Sequence, residues 1–166
     1  MKKNKRSSGF MSLAGTFGAL VILCVILAFA SDKFLSYSNL MSILKQTPFN
    51  ALLSAGMLFC LITAGIDLSV GANATFCACI IGVLVKSGMT NPVILILAGI
   101  LTGTLVGLIN GLLLTRLHLP HPFVSTLGMK NFLWGFALLI TGAQMINGFP
   151  DGVLALGTVT VGGIPI

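Results

Sequence analysis

Charge is the scarcest property of this sequence: 7% of its 166 residues carry it, and only three are acidic. Soluble domains put charge on about a quarter of their residues, so a water-facing globular surface is excluded. The formal net charge of +6 does not imply a nucleic-acid partner. Four of the nine cations, Lys2, Lys3, Lys5 and Arg6, crowd ahead of an apolar run, which is a membrane topology signal. Catalytic signatures are missing too. With no GxSxG elbow, HExxH helix, phosphate-binding loop or carboxylate pair, the chain is expected to be no enzyme and to hold no cofactor or metal. All four cysteines, Cys24, Cys60, Cys77 and Cys79, lie in apolar runs and read as packing residues rather than disulfide partners. Cys77 and Cys79 fall on different faces of a helix, which argues against a shared metal. His118 and His121 flank Pro120 without a third ligand and read as loop histidines. Trp134, the single tryptophan, reads as an interface anchor or a packing residue.

What remains is apolar. A hydrophobic content of 56% and a mean hydropathy of +1.07 give an all-α, polytopic integral membrane protein of about five hydrophobic segments. At about 20 residues per crossing the chain allows four to six spans, few for a complete transporter, so a dimer, a piece of a longer chain, or both are expected. Met11 to Ala30 is the first span. Ala28-Phe29-Ala30 before Ser31 resembles a signal-cleavage site, but the run exceeds the usual h-region of about 7 to 15 residues, so an uncleaved helix is expected. Asp32 to Thr47 is a polar connector with a helix start at Ser38-Asn39. Pro48 opens a second segment to about Ala64, and Gly71 to Val85 forms a third. These are either two tilted spans or a broken, re-entrant pair. After a turn at Lys86 to Pro92, Val93 to Leu114 is the clearest span. A loop at Arg116 to Pro122 and a fifth run at Phe123 to Thr141 follow. Residues 1–10 thus form a basic cytoplasmic tail, 11–141 the membrane region, and 142–166 a polar, glycine-rich loop ahead of further spans. With Lys130 uncounted, five cations on the inside against three outside place the N-terminus in the cytoplasm.

Two constellations stand out. Gly65-Ile66-Asp67-Leu68-Ser69-Val70-Gly71 sets an acid between two apolar runs, where an unpaired carboxylate costs about 2.5–3.5 kcal/mol. Asp67 and Ser69 are both helix-capping types, and the ends of broken helices often line transporter sites, so the two roles are compatible. Gly65, Asp67, Ser69, Gly71 and Asn110 are accordingly the candidates for a helix break or translocation pathway. Gly99, Gly103, Gly107 and Gly111 recur every four residues on one helix face, a surface for close helix packing. Ala74, Ala78 and Gly82 repeat the theme and mark the third segment as its partner.

In this order, the heptapeptide Gly65 to Gly71, Gly107-Leu108-Ile109-Asn110-Gly111-Leu112-Leu113 and Pro122-Phe123-Val124-Ser125-Thr126-Leu127-Gly128-Met129 resemble the permeases of ribose-type ABC sugar importers. The likeness takes in Ser38-Asn39-Leu40 and Gln46-Thr47-Pro48-Phe49-Asn50-Ala51 and covers residues 30–145. It implies a multi-pass subunit of the bacterial inner membrane that pairs with a second permease copy amid membrane lipid. It also implies a monosaccharide received from a periplasmic or lipid-anchored binding protein, and a separate cytoplasmic ATPase that supplies the energy. The family's later coupling segment, of the Gly-Gly-Asn, Ala-Ala, Ser-Gly-Ile type, has no match here, so the chain resembles the N-terminal half.

The residues alone leave two other readings: an ion-coupled carrier using Asp67, and a nonconducting membrane scaffold. One acid without an intramembrane base is sparse for an ion relay. Intact-mass measurement of the purified protein is expected to find the first span retained; a mature chain starting at Ser31 would refute it.

Overall fold

The computed structural model describes residues 5–62, 65–116, 121–158, 160–161 and 164–165. Six helices follow one another: α1 Lys5–Ala30, α2 Tyr37–Ile62, α3 Val70–Lys86, α4 Pro92–Arg116, α5 Pro122–Thr141 and α6 Asp151–Thr158. Two-residue strands, β1 Thr160–Val161 and β2 Ile164–Pro165, pair antiparallel behind them. Among the described residues, Leu13–Ala30, Pro92–Arg116 and Pro122–Thr141 are long and apolar enough to cross a membrane, and Val70–Lys86 is a shorter apolar helix. The molecule is a polytopic helical membrane protein.

The chain falls into two compact units, Met1–Leu44 and Lys45–Ile166, with α2 running through the boundary. In the first unit the described part of the α1 span is unburied along its length, with Phe17, Ile22 and Phe29 exposed. Such a helix suits lipid, since hydrocarbon tails are as apolar as its side chains. A tight turn follows. Ser36 Oγ donates to the Lys33 carbonyl at 2.7 Å and accepts from the Asn39 N–H at 3.3 Å, which caps α2. Asn39 Nδ2 donates to the Phe34 carbonyl at 2.7 Å.

Helix α2 therefore starts about a turn and a half before Ser42, well ahead of the position expected from Pro48, which lies inside it. The physical reason is that proline's fixed φ near −65° is itself helical; what it removes is one N–H and one hydrogen bond. A membrane helix tolerates that loss where neighbouring groups compensate. The boundary between the two units falls at Leu44 and Lys45, one turn before this proline.

In the second unit α3 lies against both α4 and α5. Ala72, Phe76, Val106, Leu133 and Ala137 form the buried core, with Cys79, Ile80, Met129 and Ile140 packed on it. Phe76 also meets Phe136, ring centroids 5.6 Å apart. Outward-facing Leu97, Leu101, Leu108, Leu138 and Leu139 are exposed, as a lipid-facing surface requires.

Helix ends follow local chemistry. Asn91 Oδ1 accepts from the Val93 and Ile94 N–H groups at 3.0 and 3.4 Å, and Pro92 occupies the first helical position of α4. At the end of α3, Gly88 adopts φ +95°, its N–H reaches the Val85 carbonyl at 2.9 Å, and the Met89 N–H reaches Leu84 at 3.0 Å. This is the paired hydrogen-bond stop that a left-handed glycine provides.

The region after Gly142 is not all loop. Helix α6 starts behind Pro150, whose carbonyl accepts from Val153 and Leu154, and Asp151 sits in its positive first turn. Eight residues holding two glycines are too few to display a helical period, which is why the sequence does not reveal it. A Cβ built on Gly152 would lie 2.5 Å from Pro92 Cγ, so the glycine is what lets α6 approach the start of α4.

The four glycines of α4 divide into two pairs. An added Cβ at Gly99 would sit 2.8 Å from Ile81 Cδ1, and at Gly103 it would sit 3.3 Å from Cys77 Sγ, whereas at Gly107 and Gly111 it meets nothing within 4 Å. The partner is α3, but through Asn73, Cys77 and Ile81. Gly82 instead takes the side chain of Ile146, 3.0 Å from a Cβ built there, and Ala78 is exposed. The expected seam of Ala74, Ala78 and Gly82 is thus displaced by one residue, because medium-sized side chains fill the space that α4's glycines leave. Cys79, two residues from Cys77, packs toward the core instead.

Gly103→Val is expected to destabilise the protein by about 1–3 kcal/mol through overpacking, and Gly107→Val by under about 0.5 kcal/mol. Unfolding in mixed micelles checks both; equal losses would contradict this contact map.

Candidate functional site

The α2–α3 break is built by satisfying backbone groups one at a time. The Gly65 N–H reaches back to the Cys60 carbonyl at 3.0 Å, and the Ser69 carbonyl accepts from the Asn73 N–H at 2.7 Å, which starts α3. Between them, Asp67 Oδ1 accepts from the Ser69 N–H at 2.8 Å and from Ser69 Oγ at 2.6 Å. Asp67 therefore sits at the positive end of α3, where a carboxylate is favoured. Its bonds close a turn onto Ser69, the residue before α3, whose own side chain makes no bond to the helix end.

Two other helices hold this turn. Asn110 of α4 donates through Nδ2 to Ser69 Oγ at 2.8 Å. Because the Ser69 hydroxyl gives its only hydrogen to Asp67, its oxygen can only accept, which fixes the Asn110 amide orientation. Thr126 of α5 places Oγ1 3.1 Å from the Ile66 carbonyl, 3.0 Å from that of Pro122 and 3.4 Å from that of Phe123, among which its one hydrogen is shared. Ser69, Asn110 and Thr126 are 1%, 5% and 2% exposed. A further tie between α3 and α4 comes from Asn73 Nδ2, which donates to the Gly103 carbonyl at 3.3 Å.

One capacity is left over. Asn110 Oδ1 is buried without a partner, as is Ser125 Oγ. A buried unsatisfied acceptor costs about 1–3 kcal/mol. Asn110 borders a cavity of about 250 Å³ beside the break, with Gly65, Asp67, Gly107, Gly111 and Thr126 among its other walls.

The geometry thus brings Gly65, Asp67, Ser69 and Asn110 into one place. Gly71 is exposed on the first turn of α3 and meets nothing. Gly107 and Gly111 border the same cavity, while Gly99 and Gly103 face α3. Thr126, Ser125 and Asn73 were not among the candidates; two adjacent hydroxyl residues opening an apolar helix were the available signal. His118 lies outside the described residues, and His121 is exposed at the start of α5. Among the described residues no three His, Cys, Asp or Glu side chains cluster as metal ligands.

Comparison with known proteins places this arrangement. Residues 39–161, more than half of the chain, match the family described as branched-chain amino acid transport system / permease component. The chain belongs to that permease family. It is 34% identical over 154 residues to the autoinducer 2 import system permease protein LsrC of Enterobacter sp. (strain 638), covering 93% of this chain and 42% of that protein. It is 34% identical over 147 residues to the ribose import permease protein RbsC of Bacillus subtilis (strain 168), covering 89% and 45%. With the D-allose transport system permease protein AlsC of Escherichia coli (strain K12) the identity is 33% over 158 residues, covering 95% and 48%. The resemblance to sugar-importer permeases read from the sequence holds, and the chain spans about half the length of these relatives. No solved structure matches it significantly.

If Ser69 and Asn110 are coupled as the bonds indicate, a double-mutant cycle with Ser69→Ala and Asn110→Ala should give a coupling energy of about 0.6–2 kcal/mol in micelles, the range for interhelical hydrogen bonds in membranes. Additive losses would mean that the two side chains do not meet.

Proposed function

We propose that the chain is a membrane subunit of an ATP-driven importer for a monosaccharide of the ribose type, and that the α2–α3 break forms part of its translocation pathway. The observation that carries this reading is the break itself: a carboxylate and a buried serine on the α2–α3 link meet an asparagine of α4 and a threonine of α5, and Asp67, Asn110 and Thr126 border one cavity in an otherwise apolar body. Polar groups are costly in hydrocarbon and are kept where a pathway needs them. The relatives named for ribose import and for D-allose transport supply the solute class.

On this reading ATP is hydrolysed by a separate cytoplasmic subunit, a sugar-binding protein delivers solute, and a second permease copy completes the pathway in the bacterial inner membrane. The N-terminus is cytoplasmic, from the Lys2 to Arg6 cluster. An ion-coupled carrier is disfavoured because Asp67 Oδ1 is engaged by both hydrogens of Ser69. A nonconducting scaffold has no need of the cavity.

The test uses cells lacking a ribose importer but supplied with the ATPase and binding protein. The 166 residues alone are expected to insert without carrying labelled ribose. Grafted in place of the matching part of the Bacillus subtilis ribose permease, they are expected to support uptake that stops with an ATPase unable to hydrolyse ATP. A well-expressed graft without uptake would refute the reading. Uptake by the chain without the ATPase, lost when ion gradients are dissipated, would establish the carrier instead.

A further inference from the structure

One polar face of the second unit stays open once the break is accounted for. Gln46, Asn50 and Ser54 recur every four residues on α2, so they share one side of it, and all three are exposed. Asn50 stands at the middle of this helix, whose 26 residues extend about 39 Å against a hydrocarbon core of about 30 Å. Helix α1 has the same length, yet of the two only α1 is apolar enough to cross a membrane. Ser54 Oγ commits its hydrogen to the Asn50 carbonyl at 2.7 Å, and among the described residues neither amide side chain has a hydrogen-bond partner.

Hydrocarbon is excluded as the neighbour of this row, because lipid offers nothing to a donor or an acceptor. The opposite side of α2 carries Leu52 and Phe59, exposed and apolar, and suits lipid. Between water and protein, composition favours protein. Ala51 and Ala55 are exposed one position further round, where they let a second backbone come near, and amides beside small residues are what membrane helices use to join one another. On α3 and α4 that chemistry is already engaged within the chain, through Asn73 on the Gly103 carbonyl and Asn110 on Ser69. On α2 it is not, and no described residue of α2 is buried. Length decides which protein. More than half of each of the three relatives compared above lies outside the part that this chain matches. A second copy brings one more such helix, whereas that unmatched stretch holds several spans at about 20 residues each.

We infer that the Gln46, Asn50 and Ser54 face of α2 is a docking surface for membrane helices of the unmatched part of these relatives, whose polar groups hydrogen-bond to its amides. The inference rests on family membership and not on transport.

The experiment compares thermal unfolding of two proteins in micelles: the 166-residue chain, and the same residues grafted in place of the matching part of the Bacillus subtilis ribose permease. Gln46→Leu/Asn50→Leu is expected to lower the midpoint of the graft by about 5 °C or more and to leave that of the chain alone unchanged or higher, since no partner is lost there. Asn50→Leu alone decides the matter if the double variant of the graft does not fold. Leu52→Ala, on the lipid side, is the control and is expected to shift both proteins by the same small amount. A single thiol, Asn50→Cys with the four native cysteines changed to alanine, is expected to be shielded from a membrane-impermeant maleimide in the graft. Equal losses in chain and graft, a graft indifferent to the row, or one as sensitive to Leu52→Ala as to Asn50→Leu would each overturn the inference. So would a graft that does not fold with the row intact. Labelling of that thiol in the graft gives the row to water, a disulfide joining two copies through it gives the row to a second copy, and either result overturns the inference too. A graft that transports ribose while ignoring the row removes the docking surface alone; a graft that unfolds as expected but carries no ribose removes the importer reading alone.

Discussion

A helix interrupted among apolar neighbours exposes N–H and C=O groups that lipid cannot satisfy, and the rest of this structure is arranged around meeting that need. Ser69 is the pivot. It donates to Asp67, which keeps the carboxylate at the start of α3, and it accepts from Asn110, which ties that start to α4. Thr126 closes the third side by reaching the Ile66 carbonyl from α5. Were Ser69 replaced by an apolar residue, the Asn110 amide would lose its partner and Asp67 one of its two hydrogens. The bonds are interdependent, so the break is a single polar unit rather than three separate contacts.

Packing determines how close that unit can be drawn. Gly99 and Gly103 remove side chains where Ile81 and Cys77 need room, so α3 lies near the α4 backbone, near enough for Asn73 to reach the Gly103 carbonyl. One turn further the same spacing does different work. Gly107 and Gly111 face no neighbour, and the space they leave is the cavity at the break. A single repeat thus produces a seam in one half of α4 and an opening in the other, with Asn110 beside the opening.

Much of this was legible before the structure. Apolar runs between glycines and prolines mark α3, α4 and α5 to within two residues and the end of α1, whose helix begins six residues before the expected Met11, because a span of fixed thickness imposes its length on the sequence. The break was legible because an acid between two such runs has few places to go. The face of α3 was not: small residues occur on several of its sides, and only the partner's shape decides that Asn73, Cys77 and Ile81 fill the gaps. Proline 48 misled because a helix start and a tolerated interior position look alike when the upstream cap, Ser36, is a single weakly distinctive residue. The Ser69 to Asn110 bond joins residues 41 apart, and no local pattern encodes such a distance. Helix α6 was too short to carry a period.

The same electrostatics bears on which solutes suit the break. The family description names branched-chain amino acids, whereas the relatives compared above carry ribose, D-allose and autoinducer 2 in their names. An amino acid brings a carboxylate, and the half-helix N-termini of transporters are where such a group is ordinarily received. In this chain that position at α3 is taken by its own Asp67, bound to the Ser69 N–H and hydroxyl. A second carboxylate there would face like charge at short range. A sugar presents hydroxyls and no charge. On the importer reading proposed above, the placement of one aspartate favours the neutral one of the two solute classes that these names offer.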